Sequence, residues 1–172
     1  KSGKFKIITD NHEIEVDKIV NCAGSWANKI ARFLDLPLKV KSVPQQMIVT
    51  EALEYKLKLL VAHIGRHLTL KQATNGNFII GGGWTANYSK NTDHLHALKD
   101  SFEGNTWVAK RVIPSLSNVN ILRSWAAMSV DVGGYPLMGE HPLMKDFYTL
   151  VSSNGYTLGP ILGKILSQQI IY

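Results

Sequence analysis

The stretch VDKIVNCAGSWANKI, Val16 to Ile30, constrains the fold of this chain more than any other. Ile19 to Ala23 form a short, mostly apolar run, as expected of a strand buried on both faces. Ala23 and Gly24 follow, and Ser25 is placed to cap a helix. Trp26, Ile30 and the pair Phe33/Leu34 then recur at helical spacing until Pro37 ends the pattern. A strand, a tight turn and a helix in this order belong to open α/β sheets, where ligands meet the backbone just past the strand ends. The usual phosphate loop, a Gly-rich turn after an earlier strand, does not precede this stretch. The chain opens without Met and already in strand-like alternation, so it is expected to begin mid-fold.

The rest of the chain divides around that unit. Phe5, Ile7, Ile14 and Val16 alternate with polar residues about TDNHE, which predicts an antiparallel hairpin. LPLKVKSVPQQMIVTEA holds two strand-like runs around Pro44, and HLTLKQATNGNFIIGGG reads as a hairpin with Asn75-Gly76 in a type I′ turn. Leu95, Leu98, Phe102, Val108 and Val112 predict a helix that Gly104 breaks or bends. VNILRSWAAM returns to strand, FYTLVSS is another, and PILGKILSQQII is a closing helix. The expected domains are residues 1–37 and 123–172 for a cofactor lobe, interrupted by 38–122 as an antiparallel sheet with a helix.

Composition narrows the function classes. A net charge of +6 invites acidic partners, but no run of five or six basic residues occurs. Aromatic and basic residues do not interleave, so nucleic acid is not expected as a partner. Apolar stretches fall well short of the roughly 18–20 residues needed to span a bilayer, so no transmembrane segment is expected. The single Cys22 sits in an apolar strand and reads as a buried small hydrophobe, which fits a reducing, cytoplasmic setting. His63/His67 and His94/His96 lack a third ligand at metal spacing, so no metal site is expected. Trp26 and Trp125 read first as core aromatics.

Three glycine-bearing junctions remain: NCAGSW, DVGGYPLMGE and SSNGYTLGP. Each alone is an ordinary turn signal. Together, VNCAGSWANKIA, PQQMIVTEA, GNFIIGGG, RSWAAMSVDVGGYPLMGEHP and SSNGYTLGPILGKIL resemble successive C-terminal motifs of the D-amino-acid-oxidase-like flavoproteins, which include the sarcosine oxidase beta chain and glycine oxidase. The resemblance covers nearly the whole chain. It implies an α/β fold with α+β character: part of an FAD-binding domain of the glutathione-reductase type, interrupted by an antiparallel-sheet substrate domain. It also implies that the GxGxxG segment lies on a missing N-terminal dinucleotide-binding portion, so the chain alone is expected to be inactive.

Carried over by this resemblance, Ala23, Gly24 and Trp26 line the FAD at a strand end. Gly134, Tyr135 and Pro136 match the turn beside the flavin ring, and Asn154, Gly155, Tyr156 and Thr157 match the segment near its pyrimidine end. Trp84 matches a position that closes the substrate pocket. Asn154 stands where many members have His, and Ser129 where glycine-oxidase-like members carry Arg. Positive charge toward a substrate then falls, on residue type alone, to Arg66 and Arg123. The implied reaction is oxidation of the C–N bond of a small amine or amino acid by hydride transfer to flavin, with other subunits as candidate partners. No protein nucleophile is required, and no catalytic residue is assigned. The alternative is a non-catalytic partner-binding module or a degenerate fragment of such an enzyme.

Overall fold

A computed structural model describes residues 5–89 and 91–171. Residues 1–4, 90 and 172, which include the outer ends of the expected domains, lie outside the described residues. The order begins with β1 (Phe5–Ile8), β2 (Glu13–Val16), β3 (Ile19–Asn21), α1 (Ala27–Ala31) and β4 (Lys41–Ala52). It continues with β5 (Val61–His63), β6 (Leu68–Gln72), β7 (Asn77–Gly81), β8 (Ala86–Ser89), β9 (His94–Ala97) and α2 (Lys99–Val112). The last elements are β10 (Ile121–Asp131), β11 (Leu137–His141), β12 (Met144–Val151) and α3 (Gly155–Ile171). The architecture is mixed α/β with several antiparallel sheets. Two compact units emerge, one up to Val43 together with Ser129 onward, the other Pro44–Met128. Both seams run through strands, β4 and β10.

The first unit contains the β1–β2 hairpin and a three-stranded sheet in the order β11-β12-β3. β12 runs antiparallel to β11 and parallel to β3. Phe147 at 0% exposure packs with Ala31 and Leu36, while Val151 packs with Ala27 and Val40. β3 is not buried on both faces. It lies at the edge of its sheet, so Val20 is 44% exposed and Cys22 is exposed too. Neighbouring atoms nevertheless displace enough water to push the Cys22 thiol pKa up. Trp26 is likewise exposed rather than core, because α1 is only one turn long between two 3-10 turns and turns Ala27 and Ala31 inward instead.

The second unit is a five-stranded sheet, β10-β4-β7-β6-β5, with the β8–β9 hairpin and α2. Ile48, Leu68, Leu70, Phe78 and Ile80 on the sheet meet Val108 and Ala109 of α2 in one apolar core. β4 passes through Pro44 as one strand, and its ladder with β7, which starts at Ile48, needs no N–H from Pro44. The β6–β7 hairpin differs from the expected type I′ turn. The Gly76 N–H donates to Ala73 O at 2.8 Å and Gly76 has φ +94°, so Thr74-Asn75 occupy the centre and Gly76 takes the left-handed position.

α2 begins after a strand, β9, and runs unbroken through Gly104. Gly104 serves packing instead of breaking the helix: a Cβ there would fall 2.4 Å from the Trp84 ring. α3 starts at Gly155, earlier than expected, and carries Pro160 inside it. Pro160, in the second turn, has no N–H to give the Tyr156 carbonyl, and its ring crowds that carbonyl. Trp125, read first as core, is 37% exposed on the edge strand β10. Among the described residues no helix is long and apolar enough to cross a membrane.

Candidate functional site

Strand register brings the three glycine junctions together. β3 and β12 are parallel, with Asn21 opposite Thr149, so the chain leaves both strands at the same end of the sheet. β11 is antiparallel to β12, with Leu137 opposite Val151, so the residues just before β11 arrive at that end as well. Ala23, Gly24 and Trp26, then Gly134, Tyr135 and Pro136, then Asn154, Gly155, Tyr156 and Thr157 therefore all sit along one carboxyl edge of the parallel pair. Open α/β sheets place ligands at such an edge.

Local hydrogen bonds hold each segment in place. Asn21 is buried; its Nδ2 donates to Ala27 O at 2.9 Å and its Oδ1 accepts the Ala23 N–H at 3.2 Å. This side chain fixes the turn after β3, a role that an apolar-run reading of the strand passes over. Ser25 caps nothing: its Oγ donates to Ser129 O at 3.0 Å, because the 3-10 turn of Gly24–Trp26 puts the helix start two residues later. Asp131 Oδ1 accepts the Gly133 N–H at 2.9 Å, which shapes the approach to Gly134. Ser152 Oγ accepts the Asn154 N–H, and Asn154 O in turn accepts N–H groups from Thr157 and Leu158 as α3 begins.

The edge is open and carries apolar surface. A Cβ built on Gly24, Gly134 or Gly155 would meet nothing within 4 Å. Tyr135 is 85% exposed, Trp26 58%, and Tyr156 fully exposed. Backbone with no side chain in front of it, rimmed by aromatics, suits a flat ring laid close to the chain. The N-terminus of the 17-residue α3 adds a positive dipole end at the same place.

Trp84, Arg66 and Arg123 belong to the second unit, and the structure separates them. Trp84 stacks its ring over Gly104 and donates Nε1 to His67 O at 2.6 Å. Arg66 ends the 3-10 turn after β5, with its guanidinium 5.3 Å from the Trp107 ring centre. Arg123 lies on β10, at the opposite edge of the sheet from β5, over Trp125 at 5.4 Å. The two arginines do not converge. Arg66 instead shares Trp107 with Arg111, which sits 4.1 Å from the same ring. That trio escapes sequence reading because only i,i+4 spacing links Trp107 to Arg111, while Arg66 is far away in the chain. Among the described residues no group of three or more His, Cys, Asp or Glu side chains could hold a metal ion.

The family model of FAD dependent oxidoreductases matches residues 1–169. The chain belongs to the FAD dependent oxidoreductase family. It is 26% identical over 172 residues to one of the subunits of opine oxidase from Agrobacterium tumefaciens, covering 98% of this chain and 43% of that protein. The beta chain of sarcosine oxidase from Rhizobium meliloti is 26% identical over 128 residues, covering 73% of this chain and 30% of that protein. In fold the chain matches L-proline dehydrogenase from P. horikoshii with a TM-score of 0.85 at 22% identity, over 96% of this chain and 45% of that one. The chain thus spans less than half the length of the relatives it matches.

FAD is the cofactor of this FAD dependent oxidoreductase family. The open backbone at Gly24, Gly134 and Gly155 is a cradle that Cβ atoms would fill, so the residues present fit a flavin ring at the carboxyl edge. A GxGxxG segment for the pyrophosphate does not occur in this sequence.

Proposed function

We propose that the complete gene product is an FAD-dependent oxidoreductase acting on the C–N bond of an amine or amino acid. On this reading the first unit forms part of the FAD-binding domain and the second the substrate domain, near the expected ranges 1–37, 123–172 and 38–122. The observation that carries it is the convergence of three glycine junctions on one sheet edge. FAD, when bound, supplies a ring that accepts hydride from the carbon bearing the amine.

The chain's own residues do the rest by position. Gly24, Gly134 and Gly155 let a ring approach the backbone, while Trp26, Tyr135 and Tyr156 shield it from water. The first turn of α3, with Asn154, Gly155, Tyr156 and Thr157, offers its positive dipole end to negative charge on the ring edge. Ala23 and Pro136 complete the wall. Trp84 bounds the substrate side, and Arg123 or Arg66 meets a substrate carboxylate. Their separation across the sheet makes these two assignments independent, since each needs its own approach to the substrate.

Because the relatives are more than twice as long, the activity is assigned to the complete product, and the 172-residue chain alone is expected to hold FAD weakly. Two relatives are named as subunits, which extends the proposal to assembly with further subunits, and the lone Cys22 extends it to a cytoplasmic setting. The test is flavin absorbance of the purified complete product, followed by anaerobic addition of secondary amines and amino acids. Bound flavin that bleaches with one of them supports the proposal and names the substrate. A product without flavin would refute it and favour a partner-binding module.

A further inference from the structure

In the second unit, a cavity of about 260 Å³ is lined by His63, Arg66, Trp107, Val108, Arg111 and Val112. Its lining combines two guanidinium groups and an imidazole with an indole and two valines. Arg66 and Arg111 both reach the Trp107 ring, at 5.3 and 4.1 Å, so their guanidinium carbons stand under about 10 Å apart. Among the described residues neither arginine side chain has a carboxylate within ion-pair distance or a hydrogen bond to the protein. Glu103, on the same helix as Trp107 and Arg111, pairs backward with Lys99 at 3.7 Å.

Stacking on a ring face uses the flat side of a guanidinium and leaves its N–H fork free to donate. Two free forks and a histidine around one small cavity exceed what a single carboxylate needs, since one arginine fork satisfies both of its oxygens. A phosphate group presents three terminal oxygens and up to two charges, which matches the set. The cavity is larger than a phosphate alone, and its Trp107, Val108 and Val112 wall offers apolar contact to an attached organic group.

We propose that this cavity binds a phosphate monoester, with Arg66 and Arg111 holding the phosphate and Trp107 packing against the organic part. The assignment leaves Arg123 as the arginine available to a substrate carboxylate. It takes Arg66 from the substrate-carboxylate role offered above and leaves the flavin-contact residues of the first unit unchanged.

The test is calorimetric titration of the complete gene product with phenyl phosphate, inorganic phosphate and succinate. Phenyl phosphate is expected to bind saturably and more tightly than the other two. R66Q and R111Q should each weaken it by about tenfold or more, whereas K110Q, which removes a neighbouring charge outside the cavity, should leave it within twofold. All three positions are exposed, so folding is preserved, and R66K should retain part of the affinity. Absence of saturable phenyl phosphate binding at millimolar concentrations would overturn the proposal. Equal binding of succinate, or an equal loss in K110Q, would overturn it as well by showing general charge attraction.

Discussion

Gly134→Ala separates what the protein needs from what a bound ring needs. Gly134 has φ +94°, a conformation that costs an L side chain roughly 1–2 kcal/mol. The reduced freedom of the unfolded chain offsets about 0.4–1 kcal/mol of this. An added Cβ meets no protein atom within 4 Å, so no packing clash is added, and the net loss is about 1 kcal/mol. For the complete product, whose relatives are more than twice this length, that lowers Tm by about 2 °C or less. If the open space receives a flavin ring, the same methyl group intrudes on it, and overpacking costs a further ~1–3 kcal/mol. Flavin affinity then falls roughly 5- to 150-fold, well beyond the stability change. The assay is fluorescence titration of the flavin-stripped complete product with FAD, beside thermal unfolding of the same preparations. Gly76→Ala is the control: it also has a positive φ, but its Cβ would fall 2.2 Å from Leu53 O, in the other unit. It should cost more stability than Gly134→Ala and leave flavin affinity of the folded protein intact. A Gly134→Ala protein that loses about 1 kcal/mol yet binds FAD within twofold of the parent would refute the placement.

Two further predictions concern single polar side chains. Gln72 is 7% exposed, with Oε1 accepting from the Lys56 and Leu57 N–H groups and Nε2 donating to Leu53, Glu54 and Gly76 carbonyls. Gln72→Leu leaves these backbone groups without their partner and should cost about 2–4 kcal/mol in urea unfolding followed by tryptophan fluorescence; a loss under about 0.5 kcal/mol would contradict this account. Glu51 Oε1 accepts the Asn120 backbone N–H at 2.9 Å and the side-chain amide at 3.1 Å, which holds its pKa below the ordinary 4.5. A depressed folded pKa contributes stability above the unfolded value and loses it as pH falls through the folded one. Urea midpoints of the parent and Glu51→Gln should therefore differ at neutral pH and converge below about pH 4.5. A gap that persists unchanged into strong acid would show that the carboxylate charge is not its source.

Local patterns were legible where neighbours in sequence are also neighbours in space. The β1–β2 hairpin follows from alternation about a polar turn, and the strand–turn–helix at Asn21 to Ala31 from an apolar run meeting small residues. What failed was whatever a distant element decides. Cys22 and Val20 look buried by composition, but whether a strand is covered depends on its place in the sheet, and β3 lies at an edge. The convergence of the three junctions was equally invisible by periodicity, because it rests on the register of β3, β12 and β11 across more than a hundred residues. Only the family resemblance, which already encodes that pairing, pointed to it.

The glycines show the limit most clearly, because all of them look alike in sequence. Gly104 reads as a helix breaker, yet the space its missing side chain leaves is filled by Trp84 of the same chain. Gly76 reads as the second residue of a type I′ turn, yet its space is filled by the Leu53 carbonyl. At Gly24, Gly134 and Gly155 the space is filled by nothing belonging to the protein. A sequence can announce that a residue gives up its side chain, but only the fold tells what takes the room. Where the chain itself takes it, glycine is a packing device, and substitution is read as lost stability. Such open places at three junctions along one carboxyl edge, rimmed by exposed aromatics, are poor packing devices and good contact points for a flat ligand. Substitution there should therefore be read in the binding assay first and in the stability assay second.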